Sequence, residues 1–163
     1  MRTAAALAFL LLACADDAPA RSPAQAARPM DEPRAQQVIA QTLRGEGFEP
    51  EGGRSFALGA KDQAPLAVAA AGHKWGVIWL TRERAQTLAA YLPKHAGGDD
   101  AALVVLDGAG ADDGGHALAL WDTDYMTDDL AGAAHSSTEI AAEAKLERDV
   151  RDFALKAKNE SWP

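Results

Sequence analysis

The sequence predicts an α+β domain, a mixed five-stranded sheet covered by helices, with its elements in the order α-β-β-β-α-β-β-α. Three observations carry this expectation. Residues 74–80 and 102–106 are apolar at both odd and even positions, which marks strands buried on both faces. Apolar residues recur at helical spacing near residues 31–45, 82–92 and 137–158. From Asp31 onward 133 residues remain, enough for one self-sufficient core and too few to make a second domain attractive.

The first helix is expected at Asp31-Glu32-Pro33, an N-cap candidate with proline in the first turn. Val38, Ile39, Thr42 and Leu43 share its apolar face, and Gly45 and Gly47 end it. Residues 55–60 read as a short strand, and Asp62-Gln63-Ala64-Pro65 as a turn. Residues 66–71 form a small-residue strand, which Gly72-His73 turns into the strand 74–80. Trp75, Val77 and Trp79 point to one side of that strand, Ile78 and Leu80 to the other. Thr81 caps a helix over 82–92, with Ala85, Leu88, Ala89 and Leu92 on one stripe. Residues 74–106 are then expected to form a right-handed parallel crossover. Strand 102–106 should pair with 116–121 as an antiparallel hairpin whose acidic tip is residues 107–115. Residues 122–136 read as a loop. Ser137 or Thr138 caps a final helix to about Lys158, with Ala142, Leu146, Val150, Phe153 and Ala157 on its stripe. Trp162 lies beyond that helix, exposed or folded back as a clasp.

The amino terminus has a different character. Met1-Arg2-Thr3 is followed by an apolar run from Ala4 to Ala13, the pattern of a secretory signal. That run is too short to span a bilayer, which needs roughly 20 apolar residues. It ends in Leu11-Leu12-Ala13-Cys14, which resembles the lipobox of bacterial lipoproteins. The resemblance implies cleavage before Cys14 and lipidation of its thiol. Ala15 follows the cysteine, which by the family's sorting rule implies the outer membrane, facing the periplasm. Cys14 is the only cysteine, so the mature chain has no internal disulfide. Residues 14–30, with three prolines and no apolar period, are expected to be a lipidated, disordered tether. Residues 31–163 are expected to be the single folded domain.

The formal charge is −8, and −9 once Arg2 is removed with the signal. This excludes nucleic acid as an expected partner and disfavours lying flat on anionic lipid, leaving the lipid anchor as the only membrane contact. It suits a basic protein partner or plain solubility. Trp75 and Trp79 are candidates for a partner-binding patch if their sheet face is incompletely covered. Asp112 and Asp113, on the acidic tip, are candidates for the same role. Asp122, Asp124 and Asp128 have spacing that could ligate Ca²⁺ or Mg²⁺. As an EF-hand loop they fail, because Thr127 stands where glycine is needed and Ala133 stands at position 12. No other cofactor is expected.

Histidines 73, 95, 116 and 135 are scattered without metal-ligand spacing. The loop 107–115 lacks the Gly-Lys-Ser/Thr of a phosphate loop. His135-Ser136-Ser137 lacks a nucleophile elbow. The element order shares its beginning with restriction-endonuclease-like nucleases, but Lys74-Trp75-Gly76-Val77-Ile78 lacks their strand carboxylate. The leading expectation is therefore a periplasmic protein-binding lipoprotein, in its concrete form an immunity or inhibitor protein against a secreted toxin. An accessory lipoprotein of an envelope secretion or motility machine is the alternative. A metal-dependent enzyme using the 122–129 carboxylates comes third.

Overall fold

Trp75–Leu80 cannot leave either face in water, and the fold is arranged around that constraint. The computed structural model describes residues 27–95, 102–109, 115–127 and 133–163, with side chains of the last segment from Thr138 onward. The chain runs β1 (Arg28–Pro29), α1 (Glu32–Gly45), β2 (Pro50–Glu51), β3 (Ser55–Ala57), β4 (Gln63–Pro65), β5 (Val68–Ala70) and β6 (Trp75–Leu80). It continues with α2 (Arg82–Thr87), β7 (Val104–Asp107), β8 (His116–Trp121), β9 (Met126–Thr127) and α3 (Ala133–Asn159). The main sheet is mixed and five-stranded, in the order β2-β5-β6-β8-β7, so the α+β class and its strand count are as expected. Among the described residues no helix is long and apolar enough to cross a membrane.

Two cores flank the sheet. On one side Trp75, Val77, Trp79, Leu118 and Leu120 pack against α1 and α3, whose stripes include Ile39, Leu43, Leu146, Val150 and Phe153. On the other side Ile78, Leu80, Ala119 and Trp121 pack against Phe56, Leu58, Leu66 and Leu88. The helix starts are built as their sequences suggest. Asp31 accepts from the Arg34 N–H at 2.8 Å, and Thr81 from the Arg84 N–H at 3.3 Å, each satisfying an otherwise orphaned donor. Trp162 folds back as the clasp. Its ring stacks on His116 at 3.9 Å, and the terminal Pro163 carbonyl accepts from the Lys74 N–H at 2.7 Å.

Several expectations are corrected. Residues 55–60 do not join the main sheet; β3 pairs antiparallel with β4, in the segment expected to be a turn. The hairpin buries Phe56 and Ala64 and exposes Ser55, Gln63 and Pro65, so it forms a separate lid over the second core. Its expected place in the sheet is taken by β2, which pairs with Ala69 and Ala70. The crossover is also different. β6 is parallel to β8, in register from Trp75 opposite His116 to Leu80 opposite Trp121, while β7 is the outer, antiparallel partner of β8. The connection therefore runs past β8, and β7 returns to pair with it from outside. α2 stops at Thr87 rather than 92, because the chain turns there to bury Leu88 and to bring the Tyr91 hydroxyl to Asp62. Residues 28–30, expected in the tether, belong to the folded part: β1 pairs with β9 and Met30 is buried. Residues 122–136, expected as a loop, include a 3₁₀ turn at Asp122–Asp124, β9, and the start of α3 before Ser137.

Gly76 and Gly115 allow strands to approach where a side chain would not fit. A Cβ on Gly76 would lie 2.8 Å from the Val68 carbonyl oxygen, across the β5–β6 pair. Gly115 has φ +72°, and its Cβ would lie 1.9 Å from the Lys74 carbonyl oxygen, the same oxygen that accepts from His116 N–H at 3.1 Å. Gly115→Ala therefore combines a strained left-handed conformation with a backbone clash at the entry to β8. It is expected to cost at least about 2 kcal/mol, read as a lowered urea midpoint; an unchanged midpoint would show that the entry to β8 relaxes freely.

Candidate functional site

The polar chemistry gathers where the parallel pair β6–β8 ends. In sheets containing parallel strands, side chains and turns beyond the carboxyl ends are where ligand chemistry tends to sit. Here β8 runs straight into the turn Asp122–Asp124, which is followed by the buried Tyr125. Asp124 is held by His95, whose Nε2 lies 2.8 Å from Asp124 Oδ2. The His95 ring stacks flat on Trp121, with centroids 4.0 Å apart and 1° between planes. His95 thus ties the end of the crossover segment to the turn after β8. The pair has the residue types of a base and its orienter, but its side chains are only 18% and 11% exposed, and the imidazole is sandwiched against indole.

The neighbouring group is built around Asp149 of α3. The Tyr125 hydroxyl donates to Asp149 Oδ2 at 2.7 Å, and Lys145 Nζ donates to the same oxygen at 3.2 Å. Arg148 Nε lies 3.8 Å from Oδ1. Lys145 also sits over the Tyr125 ring, 4.6 Å from its centroid, and the ring packs beside Trp79 at 5.3 Å. Burial, followed by the Asp149 charge, holds the Tyr125 phenol far above its ordinary range. It is therefore a fixed hydrogen-bond donor and not a base. An open groove of about 450 Å³ lies beside this cluster, lined by Asp124, Met126, Thr138, Ala141, Lys145 and Arg148.

The residues singled out from the sequence fare differently. Trp75 and Trp79 are 1% and 0% exposed, because α1 and α3 cover their face completely. They are core residues, and the expected binding patch is corrected on that ground. Asp122 and Asp124 stand on one turn, and Asp124 is engaged by His95. Asp122 is instead pushed up from the ordinary carboxylate range, first by burial, against the opposing backbone N–H groups of Thr123 and Arg82. Asp112, Asp113 and Asp128 lie outside the described residues, as does Cys14. Among the described residues no group of three or more His, Cys, Asp or Glu side chains is gathered as metal ligands.

One feature of the site was readable in the sequence but is not a motif. Residues 95–144 contain eleven Asp and Glu and not one Lys or Arg, while the remaining residues hold 13 Asp and Glu and all 16 Lys and Arg. The whole net negative charge of the chain therefore lies in the segment that contains β7, β8, β9 and the first half of α3. By contrast, the pairs His95–Asp124 and Tyr125–Asp149 leave no signal of spacing, because their members meet only through the sheet register and the docking of α3. No protein-family model matches the chain, and no curated protein or solved structure matches it either.

Two substitutions test this reading of the cluster. Tyr125→Phe removes a donor to a largely buried carboxylate and is expected to destabilise the fold by roughly 1.5–3 kcal/mol, measured by chemical denaturation. A loss below about 0.5 kcal/mol would mean that Lys145 and Arg148 satisfy Asp149 alone. Asp122 behaves with the opposite sign. Its folded state holds the proton more tightly than the unfolded chain does, so it lowers stability as pH rises from roughly 4, the ordinary Asp value, through the raised folded value. Asp122→Asn is expected to raise the melting temperature at pH 7, leave it nearly unchanged at pH 3, and flatten the slope between. An equal or lower melting temperature at pH 7 would show that Asp122 is stabilised as an anion.

Proposed function

We propose that the chain is an exported, lipid-anchored protein-binding module of the bacterial envelope that takes a basic protein as its partner. The observation that carries the partner's chemistry is the segregation of charge: residues 95–144 hold every excess carboxylate. A surface of one sign speeds capture of a partner of the other and repels wrong ones. Acidity serving solubility alone has no need to be concentrated in one continuous segment. The anchoring half of the reading rests on Leu11-Leu12-Ala13-Cys14, with Cys14 as the lipidated residue and the outer membrane, facing the periplasm, as the location. An immunity or inhibitor protein that meets a basic secreted toxin at the membrane is the concrete form of this function. Calcium or magnesium at Asp122, Asp124 and Asp128 has weaker support, since Asp124 is engaged by His95.

Two readouts test the proposal together. Cys14→Ser is expected to abolish incorporation of labelled fatty acid and to move the protein from the membrane to the soluble fraction, with unchanged stability of the folded part. Crosslinking of the wild-type chain in envelopes is expected to give a stoichiometric basic protein that is released at about 0.5 M salt, where the Debye length falls to roughly 4 Å. Label retained by Cys14→Ser sinks the anchor, and the repeated absence of any stoichiometric partner sinks the binding function.

A further inference from the structure

The two edges of the main sheet are not equivalent. An edge strand presents unpaired backbone N–H and C=O groups, and proteins blunt such edges with shortness, proline or charge. The β2 edge is blunted in all three ways: it is two residues long, Pro50 and Glu51. Arg54 sits beside it, donating to the Ala70 and His73 carbonyls. β7 has none of these protections along Val104–Leu106. It contains no proline and no basic residue, and its single charge is Asp107 at the end. On its inner side it pairs with β8, from Val104 opposite Ala119 to Asp107 opposite His116. Among the described residues no strand pairs with the outer side of Val104–Asp107; the β3–β4 hairpin meets the chain only just beyond it, where the Ala109 N–H donates to the Ala57 carbonyl at 2.9 Å.

We infer that the outer edge of β7 is a docking site for an extended segment of a basic partner protein, which adds to the sheet as a sixth strand. This rests on the protein-binding reading above and specifies where and how the partner is held. Three features of the edge define the occupant. Backbone groups of β7 supply the ladder of hydrogen bonds, as in other strand-addition complexes. Leu103 and Val105 are half-buried against the helix-side core and Val104 against the hairpin-side core, so an added strand with alternating apolar residues extends a packed layer. The flanking chain is acidic, with Asp99-Asp100 before the strand and Asp107, Asp112 and Asp113 after it, so the added strand is basic. A second copy of this chain fits poorly, because the strand it would offer carries Asp107 and no basic residue.

The probe is a short peptide alternating lysine and valine, added to the full chain. Binding is expected to weaken as salt rises, with amide chemical-shift changes centred on residues 102–107. The same peptide N-methylated at alternate backbone positions, which cannot form the ladder, is expected to bind at least about tenfold more weakly, and so is its glutamate counterpart. Val104→Lys in the protein is expected to weaken the lysine peptide to a similar extent, while Val104→Thr retains it. Equal binding of the N-methylated peptide, shift changes centred on the α3 groove, or absence of binding would each overturn the inference. So would a concentration-dependent dimer that Val104→Lys abolishes, since the edge would then belong to a second copy. The N-methylated peptide keeps the test valid if Val104→Lys fails to fold. Envelope crosslinking with wild type and Val104→Lys separates this inference from the function it rests on. A partner captured equally by both overturns the β7 edge alone, whereas no partner with either overturns the binding function itself.

Discussion

The parallel pair β6–β8 is the contact on which the rest of the structure depends. Six residues of each strand face one another in unbroken register, and nearly all of the twelve are buried. A strand that is apolar on both faces must be covered twice. The helix pair α1–α3 supplies one cover, and the β3–β4 hairpin with α2 supplies the other. The two tryptophans of β6 set the scale. Each buries on the order of 150–250 Å², or roughly 4–6 kcal/mol at about 25 cal/mol per Å². Phe48 and Phe153 meet Trp75 edge-on at 4.7 and 5.5 Å, so the space is filled by aromatic rings whose orientation is specified. A long helix such as α3 is stable here because of this face; its many exposed ion pairs, such as Arg151–Glu147, contribute little each.

The same pairing decides where polar groups end up. Because β8 is an inner strand, its carboxyl end delivers the turn Asp122–Asp124 and Tyr125 into the space between the sheet and α3. Groups placed there must find partners, since an unsatisfied buried donor or acceptor costs about 1–3 kcal/mol. They do so pairwise: His95 with Asp124, and Tyr125 with Asp149. Among the described residues no buried side-chain N or O atom is without a hydrogen-bond partner. These pairs lock elements together. They join the crossover to the turn and the turn to α3, which is a structural task and needs no reacting group.

What the sequence made legible follows from which forces leave a local trace. Period and capping are local, so α1, β6, β8 and the carboxyl-terminal part of α3 were readable, and Asp31 and Thr81 cap the helices that their positions imply. Two-sided burial was readable from the composition of residues 74–80. Partner choice among strands is not local. The antiparallel β7–β8 hairpin joins sequence neighbours and was readable, but nothing in residues 74–80 says that β6 takes β8 as its neighbour and leaves β7 outside. β2 is two residues long and carries no period, and β4 contains a proline and a glutamine, so both hide in turn-like sequence. The candidate site was the least legible part. Trp75 and Trp79 carried the residue type of a hot spot, yet the helix stripes that were equally visible are what cover them. The His–Asp and Tyr–Asp pairs join residues 29 and 24 positions apart that only the folded register brings together.

Charge and edge bear on each other in a way that neither does alone. An apolar edge such as Val104–Leu106 is a liability, because it offers the same backbone ladder to every extended chain, including a copy of itself. Lysine on the strand would remove that liability by closing the edge to all comers. The chain instead keeps Val104–Leu106 apolar, ends the strand on Asp107, and sets it in a stretch of fifty residues that has eleven Asp and Glu and not a single Lys or Arg. Carboxylates in that position discriminate. In the proposed function such carboxylates oppose pairing between two copies and favour a strand with basic flanks, so one arrangement would provide both the attraction to a partner and the repulsion that specificity requires. A surface acidified for solubility would gain as much from carboxylates elsewhere, yet outside residues 95–144 the chain has 16 Lys and Arg against 13 Asp and Glu.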